Sequence, residues 1–160
     1  MKRKIILLAA VVAIIVAIVL VLFPSPKATV ASATIPGTTL NSGESAIIYR
    51  FTVLAENTDV KIEQIYFDFQ GASLGNLSFR DDSDIELLGA FYYNSEGTIR
   101  FWPGWPLGEK IVVPEGTTRV FNLRGNVIGQ GALSIKTQGL VIEKGSVKGL
   151  PSAIITLIIK

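Results

Sequence analysis

The segments AIIYRFTVL at residues 46–54 and VKIEQIYFDFQ at residues 60–70 decide the fold class. In the first segment, large apolar side chains occupy every second position. This is the period of a β-strand that has one buried side. The side predicted to face the core consists of Ile47, Tyr49, Phe51 and Val53. Such a strand needs a second layer of structure to cover it.

The second segment changes the phase of its alternation partway along. Val60 and Ile62 share one parity, whereas Ile65 and Phe67 share the other. One extra residue in a strand shifts every later side chain to the opposite face. The pattern therefore predicts a β-bulge near Gln64.

Further short runs of β-branched and aromatic residues follow, separated by Gly, Pro, Asn and Asp. The other predicted strands are residues 28–35, 85–93, 98–102, 110–113, 119–127, 132–137, 140–143 and 153–159. Residues 94–97 are typical of a hairpin loop. No segment after residue 23 has the pattern of a crossover helix, which argues against a parallel α/β fold. We expect an all-β antiparallel sandwich.

Ile5–Phe23 is an uninterrupted run of nineteen residues without a charged side chain. As a helix it spans about 28 Å, close to the hydrocarbon thickness of a bilayer. The basic residues of segment 1–4 predict a cytoplasmic N-terminus. We therefore expect a single transmembrane helix (a signal anchor) over 5–23 in contact with membrane lipid. A proline-containing linker over 24–33 and an extracytoplasmic domain over 34–160 complete the predicted organisation.

A cleavable secretory signal is the alternative for the same segment. Ala31–Ser32–Ala33 has the small-x-small form of a cleavage site, and cutting there gives a secreted protein that begins at Thr34. The apolar run is longer than the roughly 7–15 residues of a signal-peptide core, which favours the anchor at the cell membrane. A lipoprotein is excluded, because the chain has no cysteine to acylate.

Composition excludes several classes of function. The chain has no cysteine and no histidine, so disulfide frameworks, Cys/His zinc sites and nucleophiles activated by histidine are excluded. Without Lys2, Arg3 and Lys4, the 15 basic residues fall to 12 against 13 acidic residues, a net charge of −1. This balance gives no electrostatic basis for nucleic-acid binding. No pair of carboxylates stands out as catalytic, and we expect no enzymatic activity.

Two hairpin-like segments resemble prokaryotic cell-surface immunoglobulin-like β-sandwich domains. The first runs from Gly37–Glu44 into Tyr49–Val53, and the second is Val113–Phe121, where a Pro-x-Gly-Thr turn precedes a strand. The resemblance covers most of residues 34–160 and implies an immunoglobulin-like antiparallel β-sandwich that serves as a structural or adhesive module. The paired cysteines of antibody domains are missing.

Two tryptophans lie on a short loop that two prolines stiffen. Trp102 and Trp105 occur in the sequence FWPGWP at residues 101–106. An exposed indole buries a large area at low entropic cost, so this loop is a candidate contact site for a protein partner or a carbohydrate. The alternative is that the indoles close one end of the sandwich. Strand parity predicts that Phe101 and Trp102 face opposite sides.

Two polar segments are candidates for a cation and for a glycan. Asp81, Asp82, Asp84 and Glu86 bring four carboxylates close together in sequence, and Ca²⁺ is bound by oxygen ligands of this kind. The spacing and central glycine of an EF-hand are missing, so a solvated turn is the competing interpretation and calcium is the one candidate cofactor. Asn76 begins an N-glycosylation sequon that is predicted to lie in a surface loop.

The last predicted strand, residues 153–159, is apolar on both faces, with Ile154 and Ile158 on one parity. A strand of this kind is covered on both sides within its own domain or pairs with another chain. Closure within the domain avoids the entropic cost of association and is the favoured interpretation. Strand exchange is the alternative, with residues 28–35 as the donated strand and with Ile154 and Ile158 as contact residues for the partner.

Together these observations predict a membrane-anchored extracytoplasmic binding module without catalytic activity. A pilus-like filament or surface-layer subunit that self-associates by strand exchange is a second hypothesis. An accessory subunit of a membrane complex is a third, because Ala9, Ala13 and Ala17 lie on one face of the predicted helix and permit close helix packing.

Overall fold

The computed structural model describes residues 12–15, 24–35, 37–93, 97–106 and 108–160. Within these ranges the chain forms twelve strands. They are β1 (Lys27–Ser32), β2 (Thr39–Leu40), β3 (Ser45–Glu56), β4 (Val60–Gln70), β5 (Ser73–Asp81), β6 (Gly89–Tyr93), β7 (Thr98–Pro103), β8 (Ile111–Val113), β9 (Thr118–Ile128), β10 (Gly131–Ile142), β11 (Ser146–Lys148) and β12 (Ile155–Ile159).

The strands form two sheets. Sheet A has five strands in the order β11-β1-β3-β9-β5, and sheet B has seven, in the order β2-β12-β10-β4-β7-β6 with β8 paired beside β4. All pairs are antiparallel except β1 with β11 and β12 with β2. The predicted all-β sandwich is confirmed.

The core lies between the two sheets and is rich in aromatic rings. Tyr49, Phe51 and Val53 of β3 are fully buried, as their alternation predicts. The pairing of β3 with β9 has a register shift between Ile47 and Tyr49, and the predicted alternation does not hold before it. Ile48 is fully buried and Ile47 only half-buried, so the core-facing side begins differently from the prediction.

The predicted bulge in β4 is confirmed. Gln64 lies opposite Val141 of β10, and Ile62 lies opposite Ile142, so Glu63 is the extra residue. On its other side β4 changes partner at the same place, because residues 65–68 pair with β7 and residues 60–62 pair with β8. The bulge thus positions Glu63 next to the end of β7.

Several predicted boundaries are wrong. Strand β5 was not predicted, and the structure places the sequon and the first acidic residue within it. Residues 132–137 and 140–143 form one strand, β10, with a register shift around Gln138. The predicted strand 85–93 shortens to β6, and only Glu86 makes an isolated bridge before it. Of the predicted hairpin loop, residues 94–96 lie outside the described residues.

Both strands considered for exchange between subunits pair within their own chain. Strand β1 lies between β11 and β3, and β12 lies between β10 and β2. Each strand is paired along its length on one side, whereas on the other side β11 pairs with Lys27–Thr29 of β1 and β2 pairs with Ile158–Ile159 of β12. This arrangement matches closure within the domain.

The predicted membrane helix falls almost entirely outside the described residues. Residues 12–15 are helical, whereas residues 1–11 and 16–23 are not described. Among the described residues, no helix has the length and apolar character needed to cross a bilayer.

Candidate partner-binding site

An aromatic surface lies at the edge of sheet B, on β6, β7 and the turn that follows β7. It consists of Ala90, Phe91, Tyr92, Trp102 and Trp105, and these residues line an open depression of about 470 Å³. Most of the lining is aromatic carbon, which is typical of sites that hold apolar groups. The two tryptophans of the predicted contact loop are therefore brought together with three residues of β6.

The turn after β7 determines how Trp105 is displayed. Gly104 has φ of +71°, and a Cβ atom there would lie 2.6 Å from the carbonyl oxygens of Gly108 and Glu109. Its amide donates to the carbonyl of Leu88 at 2.8 Å. Glycine fits this close approach because it has no Cβ atom, and it permits the turn of the chain at this position. The next residue, Trp105, is 66% exposed.

The alternation of side chains along β7 determines the face of the sheet on which Trp102 lies. Phe101 is fully buried, whereas its neighbour Trp102 is half-buried on the outer face of β7, as predicted. Trp102 lies directly opposite Ala90 of β6. The small side chain of Ala90 leaves open the space beside the indole, and Tyr92, which is 52% exposed, forms the far side of the depression.

A charged pair flanks the aromatic surface. Lys110 donates to the Glu63 carboxylate at 2.7 Å, and both residues border a second depression of about 290 Å³ that Trp102 and Trp105 also line. The hydrogen bond to Glu63 raises the pKa of Lys110 above its ordinary value, and desolvation opposes this effect. The Lys110 ammonium therefore keeps its charge at neutral pH and forms an ion pair with the Glu63 carboxylate.

The outer face of sheet B continues the aromatic character beyond β7. The Arg100 guanidinium lies 5.4 Å from the centre of the Tyr66 ring, a distance typical of a cation–π contact. Gly139 of β10 lies opposite Tyr66, and a Cβ atom there would be 3.1 Å from the ring. The glycine therefore lets the ring lie close to the sheet.

The two isoleucines predicted as contact residues lie elsewhere. Ile154 is 63% exposed and Ile158 is 47% exposed, in β12 or just before it. Three strands, β10, β4 and β7, separate β12 from β6 in sheet B. The predicted partner-binding residues thus form two separate surfaces, and only Trp102 and Trp105 share one.

The acidic segment has a structural role in this fold. Asp81 is buried, and its Oδ1 accepts hydrogen bonds from the amides of Ser83 at 3.0 Å and Ile85 at 2.9 Å. Glu86 and Asp84 pair with Arg80, and Asp82 is exposed. In the described part of the chain, no three side chains of the His, Cys, Asp or Glu type come together to hold a metal ion. Arginine side chains partner three of these carboxylates, since Arg119 also lies 3.8 Å from Asp81.

Asn76 is exposed, with φ of +48°. It lies in β5, where the register with β9 shifts between Gly75 and Ser78, and not in the surface loop that was predicted. Glycosylation at this position stays a prediction.

The β6 contribution to the aromatic surface was missed by sequence reasoning. Residues 85–93 were predicted to be a strand, but Tyr92 and Ala90 were not singled out. The signal available was the uncharged sequence GAFYY at residues 89–93. These residues belong to an exposed surface because β6 is an edge strand, and the edge position is known only from the order of the strands in the sheet.

No protein-family model and no curated protein matches the sequence. Solved structures with a similar course of the chain include the seventh ScaB type I cohesin from Pseudobacteroides cellulosolvens, at 8% identity and a TM-score of 0.44, over 84% of this chain and 92% of that chain. A cohesin module of a Clostridium perfringens family 33 glycoside hydrolase is 14% identical, with a TM-score of 0.45 over 85% and 97% of the two chains. A non-cellulosomal cohesin from Archaeoglobus fulgidus is 13% identical, with a TM-score of 0.45 over 84% and 91%. Similarities of this size do not transfer a partner to this chain.

Proposed function

We propose that this protein is a non-catalytic binding module that binds a protein partner through its aromatic surface. The observation that carries the proposal is the open depression between Trp102, Trp105 and Tyr92, with Trp105 66% exposed. Exposed aromatic side chains around an apolar depression are the residue type and setting of binding hot spots. The turn at Gly104 directs the chain so that Trp105 lies on the surface beside this depression.

The polar neighbours of the site favour a protein over a carbohydrate. Sugar recognition combines ring stacking with hydrogen bonds to hydroxyl groups, and the nearest charged groups, Glu63 and Lys110, already bind each other at 2.7 Å. The depression itself is lined by aromatic and alanine side chains. An apolar side chain of a protein partner fits this lining without leaving polar groups unpaired.

Replacing Trp105 with alanine should weaken binding of an apolar peptide at least tenfold. The substitution removes the indole, and with it most of the area that residue 105 would bury against the bound peptide. The probe is a peptide selected from a random displayed library on the full-length protein in nanodiscs, and its affinity is measured by calorimetry. Ile154→Ala is the matched control, because Ile154 is similarly exposed, at 63%, on a different surface.

Three results would count against the proposal. The first is a set of selected peptides that bind wild-type protein and the Trp105→Ala variant equally well. The second is binding to a panel of soluble polysaccharides that Trp105→Ala abolishes, which would assign the surface to carbohydrate instead. The third is loss of peptide binding in the Ile154→Ala control, which would place the contact just before β12.

The proposal includes display of the sandwich outside the cytoplasm on an uncleaved N-terminal anchor. The nineteen-residue apolar run Ile5–Phe23 and the basic residues before it support this arrangement. We expect the intact mass of protein recovered from the membrane fraction to include residues 1–33. A mass that begins at Thr34 would show a secreted module.

A further inference from the structure

Strand β6 presents free backbone groups at the edge of sheet B. Among the described residues, it is the last strand in the sheet order and pairs with β7 alone. The amide of Gly104 donates to the carbonyl of Leu88 at 2.8 Å, which makes these opposite residues a hydrogen-bonded pair. Because such pairs alternate in an antiparallel ladder, the N–H and C=O groups of Gly89, Phe91 and Tyr93 point away from β7.

In the described part of the chain, the other edge strands are short or interrupted, whereas β6 is neither. Strand β2 has two residues, and β11 has three and ends at Lys148. Strand β5 has a register shift after Gly75, and the bridge from Arg80 to Glu86 covers its end. Natural sheets avoid edge-to-edge pairing by devices of this kind. Strand β6 has five residues without a charge, a proline or a bulge.

We propose that a second copy of this chain occupies the aromatic surface, with β6 of each copy paired antiparallel about a twofold axis at Phe91. This inference rests on the proposed function and names the partner of the same site. In this register Phe91 lies opposite its own counterpart, and Gly89 lies opposite the copy's Tyr93. The pairing forms about six backbone hydrogen bonds between groups that otherwise face solvent.

The side chains of β6 are self-complementary in this register. Ala90 lies opposite the copy's Tyr92, so each small residue meets a large one on both ends of the strand. The copy's phenol enters the space beside Trp102 that Ala90 leaves open. No residue of β6 is charged, so the contact brings no like charges together. A twofold contact uses the same patch on both copies and therefore closes as a dimer.

The absence of cysteine from the chain allows a direct test by disulfide trapping. Around a hydrogen-bonded pair at Phe91, residue 90 and the copy's residue 92 have Cα atoms about 4.5 Å apart, which a disulfide spans. A mixture of full-length Ala90→Cys and Tyr92→Cys chains in detergent micelles is oxidised mildly. We expect at least five times more mixed dimer than from Ala90→Cys with Ile158→Cys, which places the second thiol on β12, with three strands between it and β6 in sheet B.

A charge at the edge gives an independent measurement. Ala90→Glu should raise the dissociation constant of the dimer at least tenfold in light-scattering measurements on the full-length chain in detergent. Ile158→Glu, on the outer face of β12, should leave that constant unchanged. These variants keep β6 paired with β7, and far-ultraviolet circular dichroism checks the fold.

The outcomes separate this inference from the proposed function. A monomeric chain that still binds selected peptides through Trp105 overturns the dimer and leaves the binding module standing. A dimer that Ala90→Glu does not weaken, or equal yields of the two disulfide mixtures, also overturns the β6 contact. Failure of peptide binding together with a dimer sensitive to Ala90→Glu supports a surface devoted to self-association.

Discussion

Replacing Phe51 with alanine is expected to lower the free energy of unfolding by about 3–5 kcal/mol, the usual cost of truncating a fully buried aromatic residue. Phe51 has no exposed surface. Its ring centre lies 5.5 Å from that of Phe121, 5.8 Å from Phe67 and 5.9 Å from Phe79. These rings come from both sheets, so the cavity left by alanine opens at the centre of the sandwich.

Urea unfolding followed by circular dichroism measures this loss. Phe51→Leu is the control, because it keeps an apolar group in the space and should cost clearly less than alanine. A loss below about 1 kcal/mol for Phe51→Ala would mean that the surrounding rings collapse into the space, and that the core is not packed as described.

The position of Phe51 illustrates what the sequence determines. Alternation in residues 46–54 identifies the buried face of β3, because side chains of a strand alternate strictly unless a residue is inserted. The bulge in β4 was predictable for the same reason, since the insertion appears directly as a change of phase between Ile62 and Ile65. Local patterns of this kind need no knowledge of the partner strand.

Strand β5 shows where this reasoning ends. Its two buried anchors, Leu74 and Phe79, lie on opposite parities, and turn-forming residues Gly75 and Asn76 lie between them. The register shift opposite β9 reconciles the two parities. Without the partner strand, the segment has neither a helical nor a strand period, and its place in sheet A follows only from pairing.

Only the part of the candidate site formed by the two tryptophans was predictable from the sequence, for a similar reason. The outward direction of Trp102 follows from parity with Phe101, and the prolines mark the turn that carries Trp105. The roles of Ala90 and Tyr92 depend on β6 being the edge of sheet B, and edge position is a property of the topology. The same limit separated Ile158 from the tryptophans, because sequence does not reveal how many strands lie between two segments.

The second large effect is expected at Gly149, where β11 approaches β1. Gly149 has φ of +78°, and a Cβ atom there would lie 2.0 Å from the carbonyl oxygen of Val30. Alanine must therefore both adopt a left-handed conformation and push the chain away from β1. We expect Gly149→Ala to lower the free energy of unfolding by about 3 kcal/mol or more, measured by urea unfolding.

Gly43→Ala separates the two contributions to that loss. Gly43 has φ of +81°, nearly the same as Gly149, but nothing lies within 4 Å of its Cβ position. Its replacement should therefore cost only the conformational part, about 1–2 kcal/mol. The excess at Gly149 then measures the contact between β11 and Val30, because the backbone strain is matched. Equal losses at the two glycines would mean that β11 moves away from β1 at little cost, and that this parallel pair contributes little to the stability of sheet A.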